Sequence, residues 1–174
     1  MKRADFKRPG GALAIVIALL TVFEGVRYVA YKDVAGVPTI CAGHTEGVVM
    51  GMTATKKMCD ELLSKEGQKF MAAVDKRVTA DMEPWQLVAL SLFSYNMGIG
   101  AFEGSTMLKL ANQRQWVAAC HELPKWNKAR KGRGGPKVVW PGLVKRRTQE
   151  MFICLGYIFD DEFSPNHRTR KPLL

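Results

Sequence analysis

Residues Gly11 to Phe23, GALAIVIALLTVF, form an unbroken run of 13 uncharged and almost wholly apolar positions, and the next residue is Glu24. A stretch of this kind has to leave water. As a helix it spans about 20 Å, less than the ~30 Å of hydrocarbon in a bilayer. It can therefore serve as the first helix of a domain, or as a marginal, uncleaved membrane anchor. In the anchor reading Lys2, Arg3, Lys7 and Arg8 hold the start in the cytoplasm and the rest passes outward. A cleaved signal peptide fits less well, because no A-x-A site follows and cleavage near Phe23 would strip the support from Glu24. The two remaining readings hold at different times if the run leaves lipid and then packs as a helix, setting Glu24 in place.

A chain of 174 residues with 47% apolar positions suits one globular domain with a real core. Lys and Arg number 26 against 16 Asp and Glu, a formal charge of +10 that favours anionic partners: an anionic membrane face, the bacterial envelope or nucleic acid. No nucleic-acid-binding motif accompanies the charge, and the reading excludes such a partner. Cys41, Cys59, Cys120 and Cys154 stand singly without a C-x-x-C pair, which argues against a structural zinc site. Four cysteines allow three pairings. Joining neighbours in chain order gives Cys41 with Cys59 and Cys120 with Cys154, and four reduced thiols remain an alternative.

Val26 to Tyr31 reads as a short strand, Asp33 to Pro38 as a turn, and Thr39 to Ala42 as the return strand. Thr53 is a candidate N-cap for a long helix that buries Met58, Leu62, Leu63, Phe70, Ala73 and Val74, with Gly67 a local cost. Pro84 opens a helix apolar nearly all round, placing it at the centre of the core. Helices follow from Ser105 to Leu110, from Arg114 to Leu123 and from Pro141 to Leu155, with a flexible basic loop over 128–137. The expectation is an α+β, mostly helical fold: a small β-hairpin lobe and a larger helical lobe. The divisions are a basic segment 1–10, the apolar helix 11–23, the main domain 24–156 and an extension 157–174 whose end is expected to fray.

In FEGVRYVAYKDVAGVPTICAGHT, Glu24 abuts an apolar helix, which favours a protonated acid, whereas Asp33 lies in a polar turn whose backbone N–H groups favour a carboxylate. Two carboxyls driven apart in this way are the pattern of glycoside cleavage. Thr39, expected across the hairpin from Asp33, carries a hydroxyl suited to holding a water. The bland alternative is two surface acids and a strand threonine.

The pattern E-G-x-R-x-x-x-Y-x-D-x-x-G-x-x-T-x-x-x-G-H from Glu24 to His44 resembles the catalytic segment of phage-type lysozymes, glycoside hydrolase family 24. SLFSYNMGIGAFEGSTMLKLAN (91–112), LPKWNKA and WPGLVKRRTQE (140–150) extend the resemblance over about residues 12 to 156. It implies a lysozyme-like fold and hydrolysis of the β-1,4 bond between N-acetylmuramic acid and N-acetylglucosamine in peptidoglycan, with the triad carried by Glu24, Asp33 and Thr39. Glu24 would protonate the leaving oxygen. Asp33 with Thr39 would position a water on the opposite face, an inverting arrangement that needs carboxyls about 6.5–9.5 Å apart.

Asn96, Gly98, Gly100, Ser105 and Thr106 are candidate substrate contacts lining the cleft or its floor; helix termination and capping account for the same residues. His44 is a further candidate, with bridging of the hairpin to the helical lobe the plainer role. The basic loop and Lys145 to Arg147 are read as attracted to anionic peptidoglycan and lipid. No metal or other cofactor is implied, and the chain is read as a monomer. The apolar start is similar to signal-anchor-release endolysins, which implies transient association with the bacterial inner membrane and then the periplasm. The alternative is the host cytoplasm until a holin opens the membrane. Rival functions are a cationic wall- or membrane-binding lytic protein without turnover, a lytic transglycosylase, and a zinc amidase for which His44, His121 and one cysteine are poorly spaced ligands.

Overall fold

The computed structural model describes residues 10–33, 36–131 and 134–157. The extension beyond 157 that is expected to fray, the basic segment 1–10 apart from Gly10, and Arg133 of the basic loop lie outside them. Along the described chain run α1 (Gly11–Glu24), β1 (Arg27–Lys32), β2 (Pro38–Cys41), α2 (Lys56–Asp75), α3 (Pro84–Met97), α4 (Ile99–Glu103), α5 (Thr106–Asn112), α6 (Trp116–His121), a 3-10 turn (Leu123–Lys125), β3 (Lys128–Arg130), β4 (Lys137–Val139) and α7 (Pro141–Cys154). This is the expected hairpin lobe followed by a larger helical lobe.

The helix α3 is the hub because its sequence has no polar face. Val88, Ala89, Leu90, Leu92 and Phe93 are wholly buried, and α1, α2 and α7 all pack against it. Phe93 meets the rings of Trp126 at 5.2 Å and Phe102 at 6.5 Å, both edge-on. A capping box between Glu83 and Gln86, with Pro84 in the first turn, starts the helix.

The apolar helix α1 joins this core through Ile15, Val16, Leu19 and Leu20, all at least 93% buried. Gly67 of α2, a cost in an isolated helix, has a packing purpose here. A Cβ at that position would stand 3.3 Å from Leu13 and 3.4 Å from Val16, so the missing side chain lets α1 settle onto α2. Among the described residues no helix is long and apolar enough to cross a membrane.

In the small lobe β1 and β2 are antiparallel, with Arg27 opposite Cys41, Tyr31 opposite Thr39 and Lys32 opposite Pro38, and an irregularity between Arg27 and Tyr31. Residues 52–54 add to the outer edge: Ala30 N–H donates to the Met52 carbonyl and Ala54 N–H to that of Tyr28. This pairing moves the start of α2. Thr53 bridges to Val29, so Thr55 takes the N-cap and accepts from Met58 N–H at 3.2 Å. The expected cap at Thr53 is thus two residues early.

Two other expectations change. Within the loop expected over 128–137, Lys128–Arg130 pairs as a strand with Lys137–Val139, with Lys128 opposite Val139 and Arg130 opposite Lys137. Three-residue strands carry too little pattern to be read from sequence. The helix expected from Arg114 begins at Trp116, because Arg114 adopts a positive φ of 60° that breaks it from α5. Disulfides join Cys41 to Cys59 and Cys120 to Cys154, tying β2 to α2 and α6 to α7.

Replacing Gly67 with Val is expected to crowd α1 off its seat by overpacking that costs about 1–3 kcal/mol. Thermal melts of the purified protein should fall by roughly 2–10 °C. An unchanged melting temperature would mean that α1 does not depend on this close approach.

Candidate active site

Glu24 is the last residue of α1, and Gly25 turns the chain into the hairpin with a φ of 68° that a side chain would strain. The carboxyl does not look onto apolar surroundings alone, as the sequence reading expected. Arg146 of α7 donates from Nη1 to Glu24 Oε1 at 2.5 Å, and the Glu24 side chain keeps 24% of its surface open to solvent. The same guanidinium lies 4.8 Å from the Phe23 ring and donates from Nη2 to the Leu92 carbonyl at 3.3 Å.

Arg146 belongs to a larger buried cluster. Arg146 and Arg147 are followed by Glu150 four and three residues later, spacings that bring all three onto one side of α7. Arg146 Nε donates to Glu150 Oε1 at 3.0 Å, and Arg147 Nη1 donates to Oε2 of the same carboxylate. Arg147 Nη2 reaches Asn96 Oδ1 at the end of α3, and its guanidinium faces the Phe93 ring at 5.0 Å. Burial lowers Arg147 from its ordinary value, opposed by Glu150. Burial likewise raises Glu150, opposed by Arg147 and Arg146. Both oxygens of Glu150 thus accept from guanidinium groups, which offsets part of the cost of burying the carboxyl.

The attraction of Lys145 to Arg147 to anionic polymers is therefore corrected for two of the three. Arg146 and Arg147 are interior residues, 8% and 0% exposed, and their charges are consumed by Glu24 and Glu150. The pattern R-R-x-x-E was the signal available in the sequence.

Asp33 closes the hairpin turn: its Oδ1 accepts from Val37 N–H at 2.8 Å, and its own N–H donates to the Val37 carbonyl at 3.0 Å. Thr39 is 2% exposed and donates its hydroxyl to that carbonyl at 2.9 Å. Asp33 and Thr39 thus meet through Val37, although in the strand register Thr39 opposes Tyr31 and not Asp33.

The other candidates divide. Asn96 joins the buried arginine cluster. Gly98 takes a φ of 86° where α3 gives way to α4, the helix that contains Gly100. Ser105 is buried and caps α5, accepting from Leu108 N–H and donating to the Phe102 carbonyl, while Thr106 opens that helix with an exposed side chain. His44 lies 3.6 Å from Glu66 of α2 and so bridges the two lobes. Beside it Tyr95 donates its hydroxyl to the Ala42 carbonyl at 2.7 Å, a second bridge from α3 to the hairpin. Burial pushes the Tyr95 phenol well above its ordinary value, and the charges of Glu24 and Glu66 add to this. Among the described residues no three His, Cys, Asp or Glu side chains converge as a metal-binding set.

A hairpin lobe carrying one acid, a helical lobe carrying another at the end of a buried helix, and a guanidinium fixing the latter define an enzyme of the lysozyme type. The phage lysozyme family model matches residues 21–150. The SAR-endolysin of Pseudomonas phage phiKMV is 40% identical over 146 residues, 84% of this chain and 89% of the relative. Among solved structures, an endolysin from Escherichia coli O157:H7 phage FAHEc1 superposes with a TM-score of 0.74 at 34% identity, covering 80% of this chain and 90% of that one. The muramidase domain of SpmX from Asticaccaulis excentricus gives 0.75 at 29% identity, covering 81% and 95%. The chain belongs to the phage lysozyme family.

Tyr95→Phe leaves the Ala42 carbonyl without this donor and should cost about 1–3 kcal/mol at neutral pH. A folded-state value above the unfolded one means stability that is full below the ordinary tyrosine range and lost as pH rises through it. The gap between the parent and Tyr95→Phe in denaturant melts should accordingly narrow above about pH 10. A gap constant to pH 11 would contradict this account of Tyr95.

Proposed function

We propose that this enzyme is an endolysin that hydrolyses the β-1,4 bond between N-acetylmuramic acid and N-acetylglucosamine in peptidoglycan, with Glu24 as general acid and Asp33, together with Thr39, positioning the attacking water. The observation that carries this is the fixed carboxyl of Glu24, partly open to solvent at the end of α1 and gripped by Arg146. An acid held in one orientation can deliver its proton to a glycosidic oxygen without first being ordered. Asp33 is held by its turn, and the buried Thr39 hydroxyl is aligned through the same Val37 carbonyl. Asn96 and His44 are the substrate contacts that this reading retains; Ser105 serves as a helix cap.

Glu24→Gln should reduce the release of reducing ends from purified cell walls by at least about 10³-fold while leaving the melt intact. Asp33→Asn should lower it by at least about 10²-fold. Retained killing without sugar release would favour a cationic lytic protein, and anhydro-sugar products by mass spectrometry would favour a transglycosylase.

The proposal extends to an uncleaved membrane anchor, a monomer that leaves the inner membrane for the periplasm. Its support is the outer face of α1. Ala14, Ala18, Thr21 and Val22 form a solvent-exposed stripe, and Val22 is 61% exposed. A helix used only in water carries charged residues on such a face; small and apolar residues there suit a segment that also resides in lipid. Ala18→Lys places a charge on that stripe. It should leave the purified enzyme's activity within about twofold, while costing ~3 kcal/mol of membrane affinity. Fractionation should show the parent chain in the membrane before depolarisation and Ala18→Lys displaced from it. Equal distribution of the two proteins would end the anchor reading.

A further inference from the structure

Glu150 is wholly buried, touches no solvent, and yet places a carboxyl group in the middle of the helical lobe. A buried charge of this kind is costly unless it is paired, and replacing a buried ion cluster by apolar groups is often neutral or stabilising. The cluster around it is therefore poorly explained as a device for stability alone. Its layout is informative. Arg146 uses each of its three nitrogens on a different partner: Nε on Glu150, Nη1 on Glu24 and Nη2 on the Leu92 carbonyl. Arg147, held by the second oxygen of Glu150, ends on Asn96. Two guanidinium groups and two carboxyls, Glu24 and Glu150, balance to zero when all four are charged.

We propose that Glu150 is the positioning residue of the acid: by dividing its carboxylate between Arg146 and Arg147 it fixes the guanidinium that grips Glu24 and offsets one of the two positive charges that bear on it. This rests on the reading of Glu24 as general acid. Without Glu150, two cations would bear on Glu24 and favour its ionised form. Without Arg147, one cation would face two carboxyls and favour the proton. The ionisable groups that share this region with Glu24 are Tyr95 of α3, which senses Glu24, Glu66, Arg146 and Tyr31, and His44, which lies 3.6 Å from Glu66 of α2. All of these remain in place in each variant below, so the changes isolate the cluster.

The test is the pH dependence of kcat/KM on soluble peptidoglycan fragments for the full chain and its variants Glu150→Gln, Arg147→Met and the double substitution. The alkaline limb of the profile reports loss of the donated proton. Charges within about 6 Å of a carboxyl move its titration by about one unit or more. Glu150→Gln is expected to shift that limb down by about one pH unit, and Arg147→Met to shift it up by a similar amount. The double variant, balanced again, should return to the parent limb.

A purely structural role would lower activity evenly across pH and leave the limb unmoved in both single variants; that result, or shifts of the same sign, overturns the proposal. If Glu150→Gln does not fold, the upward limb of Arg147→Met and the folding of the double variant support the proposal, and failure of either overturns it. Glu24→Gln, measured alongside, separates the two ideas: an active Glu24→Gln removes the assignment of the acid itself, whereas an inactive one with unmoved limbs in the other variants removes only the role of Glu150.

Discussion

The seating of α1 between α2 and α3 is the contact on which the rest of the molecule depends. Four residues of one short helix, Ile15, Val16, Leu19 and Leu20, bury nearly all their surface in the main core. At about 1.5–3 kcal/mol for each such side chain, this burial is comparable to the whole net stability of an ordinary domain. The catalytic candidate is the terminal residue of that same helix. Its position is therefore not set by the hairpin that follows but by how deeply α1 is docked, and Gly67 allows the close approach. Helix docking and assembly of the acid site are one event.

Docking delivers the Glu24 carboxyl to a waiting guanidinium, and here apolar packing and electrostatics meet. Arg146 is also held by the Leu92 carbonyl and by Glu150, both outside α1. The receptor for Glu24 thus belongs to α3 and α7, the hub and the helix packed on it. An Arg can serve as this receptor and a Lys cannot, because three partners in three directions require the planar fork of the guanidinium. Phe23 next to Glu24 covers the same guanidinium with its ring, so the last two residues of α1 seal the charge they approach.

Much of this was legible in the amino-acid sequence, and what was not has physical causes. The apolar run, the Glu24 to His44 pattern and the all-apolar α3 gave the two-lobed helical fold, because long hydrophobic periodicity is a strong signal. The errors fall where tertiary pairing overrides local preference. Thr53 is as good a cap as Thr55 by composition, but Val29 takes it for the sheet edge. Arg114 enters the left-handed region, and nothing in its residue type announces that. The β3–β4 hairpin has three residues a side and a basic composition that reads as loop. For the site, an apolar helix beside Glu24 suggested an apolar pocket, whereas Arg146, 122 positions away, supplies a charge that only the fold could reveal. The chain-order pairing of the cysteines matches the structure, though counting alone left three choices.

The exposed stripe on α1 is what the proposed membrane anchor rests on. Ala14, Ala18 and Val22 contribute nothing to the folded core, yet none of them is charged. In the folded enzyme this costs little, because two of the three are alanines with small side chains. In lipid it matters more, since a charge near the middle of such a helix opposes insertion by ~3 kcal/mol. The inner face is equally apolar, so either environment removes it from water. Under the proposed anchor, the choice between membrane and core turns on what only the folded state provides: close packing over Gly67 and the pairing of Glu24 with Arg146. On the proposed anchor reading, the movement that takes the helix out of lipid is the same one that seats Glu24 against Arg146.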